Sequence, residues 1–182
     1  ALELLADRIR KIPVRENQLP MPVVSQKQPL DKKAVFSAEV MTAEQAKAAV
    51  DAGFERLLVP YQLYATDKEY FDSLDAVVVL PNIDRGNVNY DILPDRIYAS
   101  NISHLRLTAD RTVFANFTLN AFNTRTLEFL KNSGAKTVCI SPEVNLSGFN
   151  HLDSPVPREL IVYGRIPVMT VQNCVVKSAL DG

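Results

Sequence analysis

Thr112-Val113-Phe114-Ala115-Asn116 and Thr137-Val138-Cys139-Ile140 are short apolar runs, and between them lies Asn123-Thr124-Arg125-Thr126-Leu127-Glu128-Phe129-Leu130-Lys131-Asn132-Ser133-Gly134. The first run predicts a strand over Thr112–Thr118 and the second a strand over Thr137–Ile140. The stretch between them predicts a helix over Thr124–Asn132. Asn123 is suited to cap it, because a short amide side chain can accept from the free N–H groups of the first turn. Gly134 can end it, because glycine takes the left-handed conformation without steric cost. A strand, a helix and a second strand joined this tightly make a crossover unit, and crossover units build parallel sheets.

The same punctuation occurs earlier in the chain. Thr42 is placed to cap a helix over Thr42–Ala52, with Gln45 reaching back in a capping-box pattern and Gly53 as the stop. Cap and stop are eleven residues apart in both units, Thr42 to Gly53 and Asn123 to Gly134. Ala34-Val35-Phe36-Ser37-Ala38 also echoes Thr112-Val113-Phe114-Ala115-Asn116, although the second copy has three extra residues between strand and helix. The echo reads either as two ordinary units with common punctuation or as a barrel grown from repeats. Further strands are predicted over Ala34–Val40, Arg56–Val59, Ala76–Leu80, Arg96–Ala99 and Glu159–Tyr163, and a short helix over Asp67–Leu74. That makes about seven strands, one short of a closed eight-stranded barrel. The expected fold class is α/β, a mostly parallel sheet forming an incomplete TIM-barrel-like domain. Val77–Leu80, Val113–Phe117, Val138–Ile140 and Ile161–Val162 are the runs expected to be buried in it.

Ahead of this body, Leu2, Leu5, Ile9 and Ile12 fall at helical spacing and predict an amphipathic helix over residues 2–11. Four of the eleven prolines, Pro13, Pro20, Pro22 and Pro29, then interrupt the chain. Such a stretch is extended rather than helical. Residues 1–32 are expected to be a helix and linker leading from a preceding domain of the same protein, and residues 33–182 a truncated barrel-like α/β domain. Of the 182 residues, 47% are apolar and 23% charged, with a net charge of −1. The balance is that of an ordinary globular protein and offers no global electrostatic case for nucleic acid. Two cysteines fit a reducing compartment better than a disulfide framework. No apolar run is long enough to cross a bilayer and the start has no signal-peptide character. Neither membrane anchorage nor export is expected, and the cytoplasm is the expected location.

Candidate chemistry gathers after the predicted strands, where barrel folds place their active sites. Asn116 and Asn120 fall at the end of one strand, where amides either bind a ligand or satisfy local backbone groups. Ser141-Pro142-Glu143 follows the next strand. Glu143 is a candidate catalytic acid or a solvated turn acid. Tyr163-Gly164-Arg165 follows the last strand. Tyr163 is a candidate substrate contact, and Arg165 offers a planar fork for carboxylate or phosphate that could also pair with Glu143. Cys139, between Val138 and Ile140, reads as a small core residue. Cys174 lies in a polar segment, and one thiolate alone makes no metal site. His104 reads as structural and His151 as solvated. The chain contains no His-Glu-x-x-His pair, glycine-rich phosphate loop or Gly-x-Ser-x-Gly elbow.

Taken together, Asn116-Phe117-Thr118-Leu119-Asn120-Ala121-Phe122-Asn123, Gly134-Ala135, Ser141-Pro142-Glu143, Val162-Tyr163-Gly164-Arg165-Ile166-Pro167-Val168-Met169 and Asn173-Cys174 resemble the collagenase-like peptidases of unassigned catalytic type, peptidase family U-thirty-two. The resemblance runs over roughly residues 33–174. It is closest to the second barrel-like region of the long bacterial members. It implies a barrel-like α/β protein whose relatives are either labelled peptidases or take part in oxygen-independent hydroxylation of an RNA base or a quinone precursor. It also implies an iron–sulfur cluster held by four cysteines in the full-length parent, with Cys174 as the first ligand and the others beyond Gly182. Three functions are therefore expected to compete: RNA base hydroxylation by the parent, with RNA as a partner; hydrolysis of collagen-like or other peptides; and a barrel segment that binds without chemistry of its own. These 182 residues alone are expected to carry no cluster and to be catalytically silent.

Overall fold

The computed structural model describes residues 34–167 together with Met169 and Thr170. The helix expected over residues 2–11, the proline-rich linker and the segment around Cys174 lie outside the described residues. The body is a single sheet of seven strands with helices against one face. Its strands are β1 (Ser37–Glu39), β2 (Arg56–Pro60), β3 (Val77–Val79), β4 (Arg96–Ala99), β5 (Thr112–Ala115), β6 (Thr137–Cys139) and β7 (Arg158–Glu159). They lie side by side in chain order and every pairing is parallel.

The two punctuated units form as expected. Helix α1 (Ala43–Asp51) starts where Thr42 Oγ1 accepts from the Gln45 N–H at 3.2 Å. Gln45 in turn accepts from the Met41 N–H at 2.8 Å, one residue earlier than the usual capping box. Tyr61–Tyr64 (α2) and Lys68–Ser73 (α3) follow β2, the second of these capped by Asp67. Helix α4 (Thr124–Asn132) is capped by Asn123, whose Oδ1 accepts from the Thr126 N–H at 2.9 Å. It ends at Gly134, with φ +95°, where an added Cβ would stand 2.6 Å from the Thr108 side chain. Only glycine lets the helix turn back at that contact.

Period-two alternation sorts the strand residues onto two faces. The outer set, Leu57, Val59, Val78, Leu80, Ile97 and Val113 among them, packs with Ala46, Phe71, Leu127 and Leu130 of the helices. The inner set is smaller: Leu58, Val77, Val79, Tyr98, Phe114 and Cys139. Each fully buried Val, Leu or Phe is worth about 1.5–3 kcal/mol of transfer free energy, so the outer layer holds most of the stability. The sheet is strongly curled. Arg56 on β2 approaches Glu159 on β7, Nη1 to Oε1 at 3.7 Å. In a flat sheet, strands five positions apart lie about 24 Å from each other. The molecule is thus a parallel half-barrel, in agreement with the expected incomplete TIM-barrel-like class.

Four expectations need correction. The strand expected over Ala34–Val40 is only Ser37–Glu39, and residues 34–36 ahead of it are exposed. The strand expected over Thr112–Thr118 stops at Ala115, because the Asn116 side chain takes the Phe117 N–H at 2.7 Å and turns Phe117–Leu119 into a 3-10 helix. The strand expected over Glu159–Tyr163 is only Arg158–Glu159. Ile161–Val162 is not a buried run: Ile161 is half-buried against the inner cluster and Val162 is 82% exposed. Elements with no forecast in the sequence include helix α2, the 3-10 helices over Tyr90–Ile92 and Ile102–Ala109, and helix α5 (Leu146–His151), which makes His151 a helical residue. Among the described residues no helix is long and apolar enough to cross a membrane.

Candidate functional site

Parallel strands deliver the residues that follow them to one rim. On that rim, beyond the carboxyl ends of β3, β4 and β5, lies a cleft of about 520 Å³. Asn82, Ser100, Asn101 and Thr118 line it with amides and hydroxyls, Ile102 and Leu119 with aliphatic surface, and Thr170 closes one side. The lining is cross-braced. Asn116, itself buried, donates from Nδ2 to Ser100 Oγ at 2.9 Å. Thr118 Oγ1 donates to the Ser100 carbonyl at 2.9 Å, and Asn101 Nδ2 donates to the Asn82 carbonyl at 3.1 Å. Asn101 Oδ1 accepts from the Ser103 N–H and so caps the 3-10 helix that carries Ile102. Asn82 Nδ2 donates to Thr170 Oγ1 at 3.2 Å, which ties the chain leaving β7 to the loop after β3. No charged side chain is among these lining groups.

Just behind the cleft the same 3-10 helix buries His104 completely, with neither ring nitrogen bonded to a described residue. That burial lowers its pKa, against the opposing pull of Asp84. Asp84, in the loop that begins at Asn82, is itself held below the usual carboxylate range by the Tyr90 hydroxyl that donates to it.

A second polar group occupies the concave face. The Tyr98 hydroxyl donates to Glu159 Oε2 at 2.6 Å, and the Arg56 guanidinium, beside Glu159, also stacks over the Phe114 ring at 4.5 Å. Burial pushes the Tyr98 hydroxyl far above its ordinary range. It also pushes the Cys139 thiol up to about 12, with the carboxylates of Glu159 and Glu39 acting in the same direction. A thiol held protonated this firmly is neither a nucleophile nor a ready metal ligand.

The residues singled out from the sequence are distributed as follows. Asn116 is a brace of the rim cleft rather than part of its lining. Asn120 is exposed in the left-handed region, φ +54°, where it ends the 3-10 turn. Glu143 and Arg165 are exposed, and no ion pair joins them among the described residues. Tyr163 is 96% exposed. Asn120, Glu143 and Arg165 do follow three adjacent parallel strands, β5, β6 and β7. Among the described residues no group of three or more His, Cys, Asp or Glu could hold a metal ion. These residues do not fit an iron–sulfur cluster, and the ligand role implied for Cys174 lies outside them.

Sequence reasoning missed Asn82, Ser100, Asn101 and Thr118. A signal was available: Ala99-Ser100-Asn101 ends β4 much as Ala115-Asn116 ends β5, and only the second was weighed. Fold and cleft together define a parallel α/β half-barrel with an uncharged polar cleft on its carboxyl rim. Comparison with models of known families, with curated proteins and with solved structures finds no match.

Proposed function

We propose that this chain is the substrate-binding part of a bacterial, cytoplasmic, barrel-like enzyme of the collagenase-like peptidase family U-thirty-two, whose parent acts in oxygen-independent hydroxylation of an RNA base. The rim cleft carries this reading. Its volume falls within the range of small-molecule sites. Its lining pairs fixed amides and hydroxyls with the aliphatic surface of Ile102 and Leu119. An unstacked base presents that combination, a flat face with donors and acceptors on its edge. In this proposal the iron–sulfur cluster of the parent is held by Cys174 and further cysteines outside the described residues, and the domain preceding residue 33 is its partner within the chain.

The same amides could hold a peptide backbone, which keeps hydrolysis of collagen-like peptides as the second reading. A titration of the isotope-labelled chain with a short single-stranded RNA and with a (Gly-Pro-Pro) repeat peptide separates the two. The RNA is expected to shift the amide resonances of Asn101, Ile102 and Thr118. Thr118→Val should weaken that binding about five-fold, the worth of one hydrogen bond of about 1 kcal/mol. Shifts produced by the peptide and not by RNA would transfer the proposal to the peptidase reading. No shift at the rim with either would leave a barrel segment without a substrate site there.

A further inference from the structure

The polar groups that line the rim cleft are not equivalent, because the fold has already claimed a proton or a lone pair from most of them. Asn116 fixes the first of these claims. Its Oδ1 accepts from the Phe117 N–H at 2.7 Å, so its Nδ2 is the atom that stands 2.9 Å from Ser100 Oγ. Ser100 Oγ is the acceptor in that bond and keeps its own proton, for which no acceptor stands among the described residues. Thr118 is the reverse case. Its Oγ1 lies 2.9 Å from the Ser100 carbonyl, which has lone pairs and no proton. Thr118 therefore donates there and retains only lone pairs for a further partner. Asn101 is largely committed: its Oδ1 accepts from the Ser103 N–H and its Nδ2 donates to the Asn82 carbonyl.

The cleft thus offers a fixed donor, the Ser100 O–H, beside a fixed acceptor, Thr118 Oγ1, and both are anchored at residue 100. Ser100 is 4% exposed, so bulk water reaches its hydroxyl poorly, and a shielded donor without a partner is costly. No charged side chain is among the lining groups, so a phosphate or carboxylate would meet no counter-charge. Ile102 and Leu119 add aliphatic surface to the same cavity.

We propose that the Ser100 and Thr118 hydroxyls are the specificity pair of the cleft, and that they select a neutral flat ring with a hydrogen-bond acceptor and an N–H side by side on one edge, as in a cyclic amide or a nucleobase. The ring acceptor takes the Ser100 proton, the ring N–H donates to Thr118 Oγ1, and Ile102 and Leu119 cover the apolar surface of the ring. An extended peptide suits the pair poorly, since a trans amide points its C=O and N–H in opposite directions. The inference rests on the reading of the cleft as the substrate site and adds which edge of the substrate is read.

The test titrates the isotope-labelled chain with three probes: 2-pyridone, whose ring carries C=O beside N–H; N-methyl-2-pyridone, which lacks the N–H; and N-methylacetamide, a trans amide. The amide resonances of Asn101, Ile102 and Thr118 are the readout. 2-Pyridone is expected to bind about five-fold more tightly than either of the others, the worth of one hydrogen bond. Thr118→Val should abolish its advantage over the N-methyl form, and Thr118→Ser should keep it. Ser100→Ala also strips the buried Asn116 amide of a partner and so tests folding as well as binding; the probe series on the unaltered chain is independent of that variant. Equal shifts from all three probes, a preference that survives Thr118→Val, or no rim shift with any probe would each overturn the inference. The short single-stranded RNA separates the two levels. Rim shifts with RNA but no N–H preference among the probes would overturn the specificity pair alone, whereas no rim shift with RNA either would remove the cleft as a substrate site.

Discussion

The concave face and the carboxyl rim are built from opposite materials. Inside, ionisable groups are drawn from distant strands and matched to one another: Arg56 to Glu159, Glu159 to Tyr98, the guanidinium to the Phe114 ring. In the rim cleft the groups are neutral, come chiefly from three consecutive loops and brace each other's backbones while leaving a cavity between them. Charges removed from water must be paired or the fold loses stability. Neutral amides can be left partly open to solvent at little cost and remain available to a ligand. The contrast assigns the interior to holding the curl and the rim to recognition.

The sharpest way to break this division is to truncate Glu159. Glu159→Ala strands Arg56 on the concave face and removes the acceptor of the Tyr98 hydroxyl, so a loss of about 3 kcal/mol is expected in urea unfolding. An unchanged midpoint would mean that the interior pairs are ornamental. Asn116→Ala tests the rim from beneath. It removes the bond to Ser100 and the cap on Phe117, for an expected loss of about 2 kcal/mol. If the division holds, substrate affinity should fall with it, because Ser100 lines the cleft; stability lost without affinity would make Asn116 purely structural.

His104 gives a comparison along the pH axis. Its pKa is lowered in the folded chain by burial, so the unfolded chain takes up the proton first. The sign follows: stability is full above about pH 6.5, the ordinary histidine value, and falls as pH drops below it, at up to about 1.4 kcal/mol per unit. His104→Gln should flatten that slope. A wild-type curve with no slope between pH 6.5 and 5 would show that His104 finds a partner for its proton inside the fold.

How far these two regions were legible in the sequence follows from how local their causes are. The helix over Thr124–Asn132 and the strand over Arg96–Ala99 match the expectation residue for residue, because caps, glycine stops and apolar runs act within a few positions. The end of β5 was overrun because an asparagine competing for its neighbour's N–H looks like any other polar residue in a string. The end of β7 was overrun because Leu160-Ile161-Val162 has strand composition, whereas its pairing among the described residues, to β6, covers just two residues. The concave cluster was invisible because Arg56, Tyr98, Cys139 and Glu159 come one from each of four strands. Only the curl of the sheet brings them together. The rim was half legible: Asn116 was identified, but its role as a brace needed Ser100 beside it.

The smallest expected effect lies at the edge where the two regions meet. Glu39 keeps access to solvent, yet partial burial against the concave wall raises its carboxyl above the ordinary range. A carboxyl raised in the folded state favours folding below the unfolded value and works against it as pH climbs through the folded one. At neutral pH the charge is therefore a mild liability, and Glu39→Gln should raise the unfolding midpoint slightly at pH 7 and leave it unchanged near pH 4. Glu159→Gln has the opposite expectation at pH 7, since Arg56 would lose its counter-charge. Equal shifts of the same sign in both variants would mean that the two carboxylates share one environment.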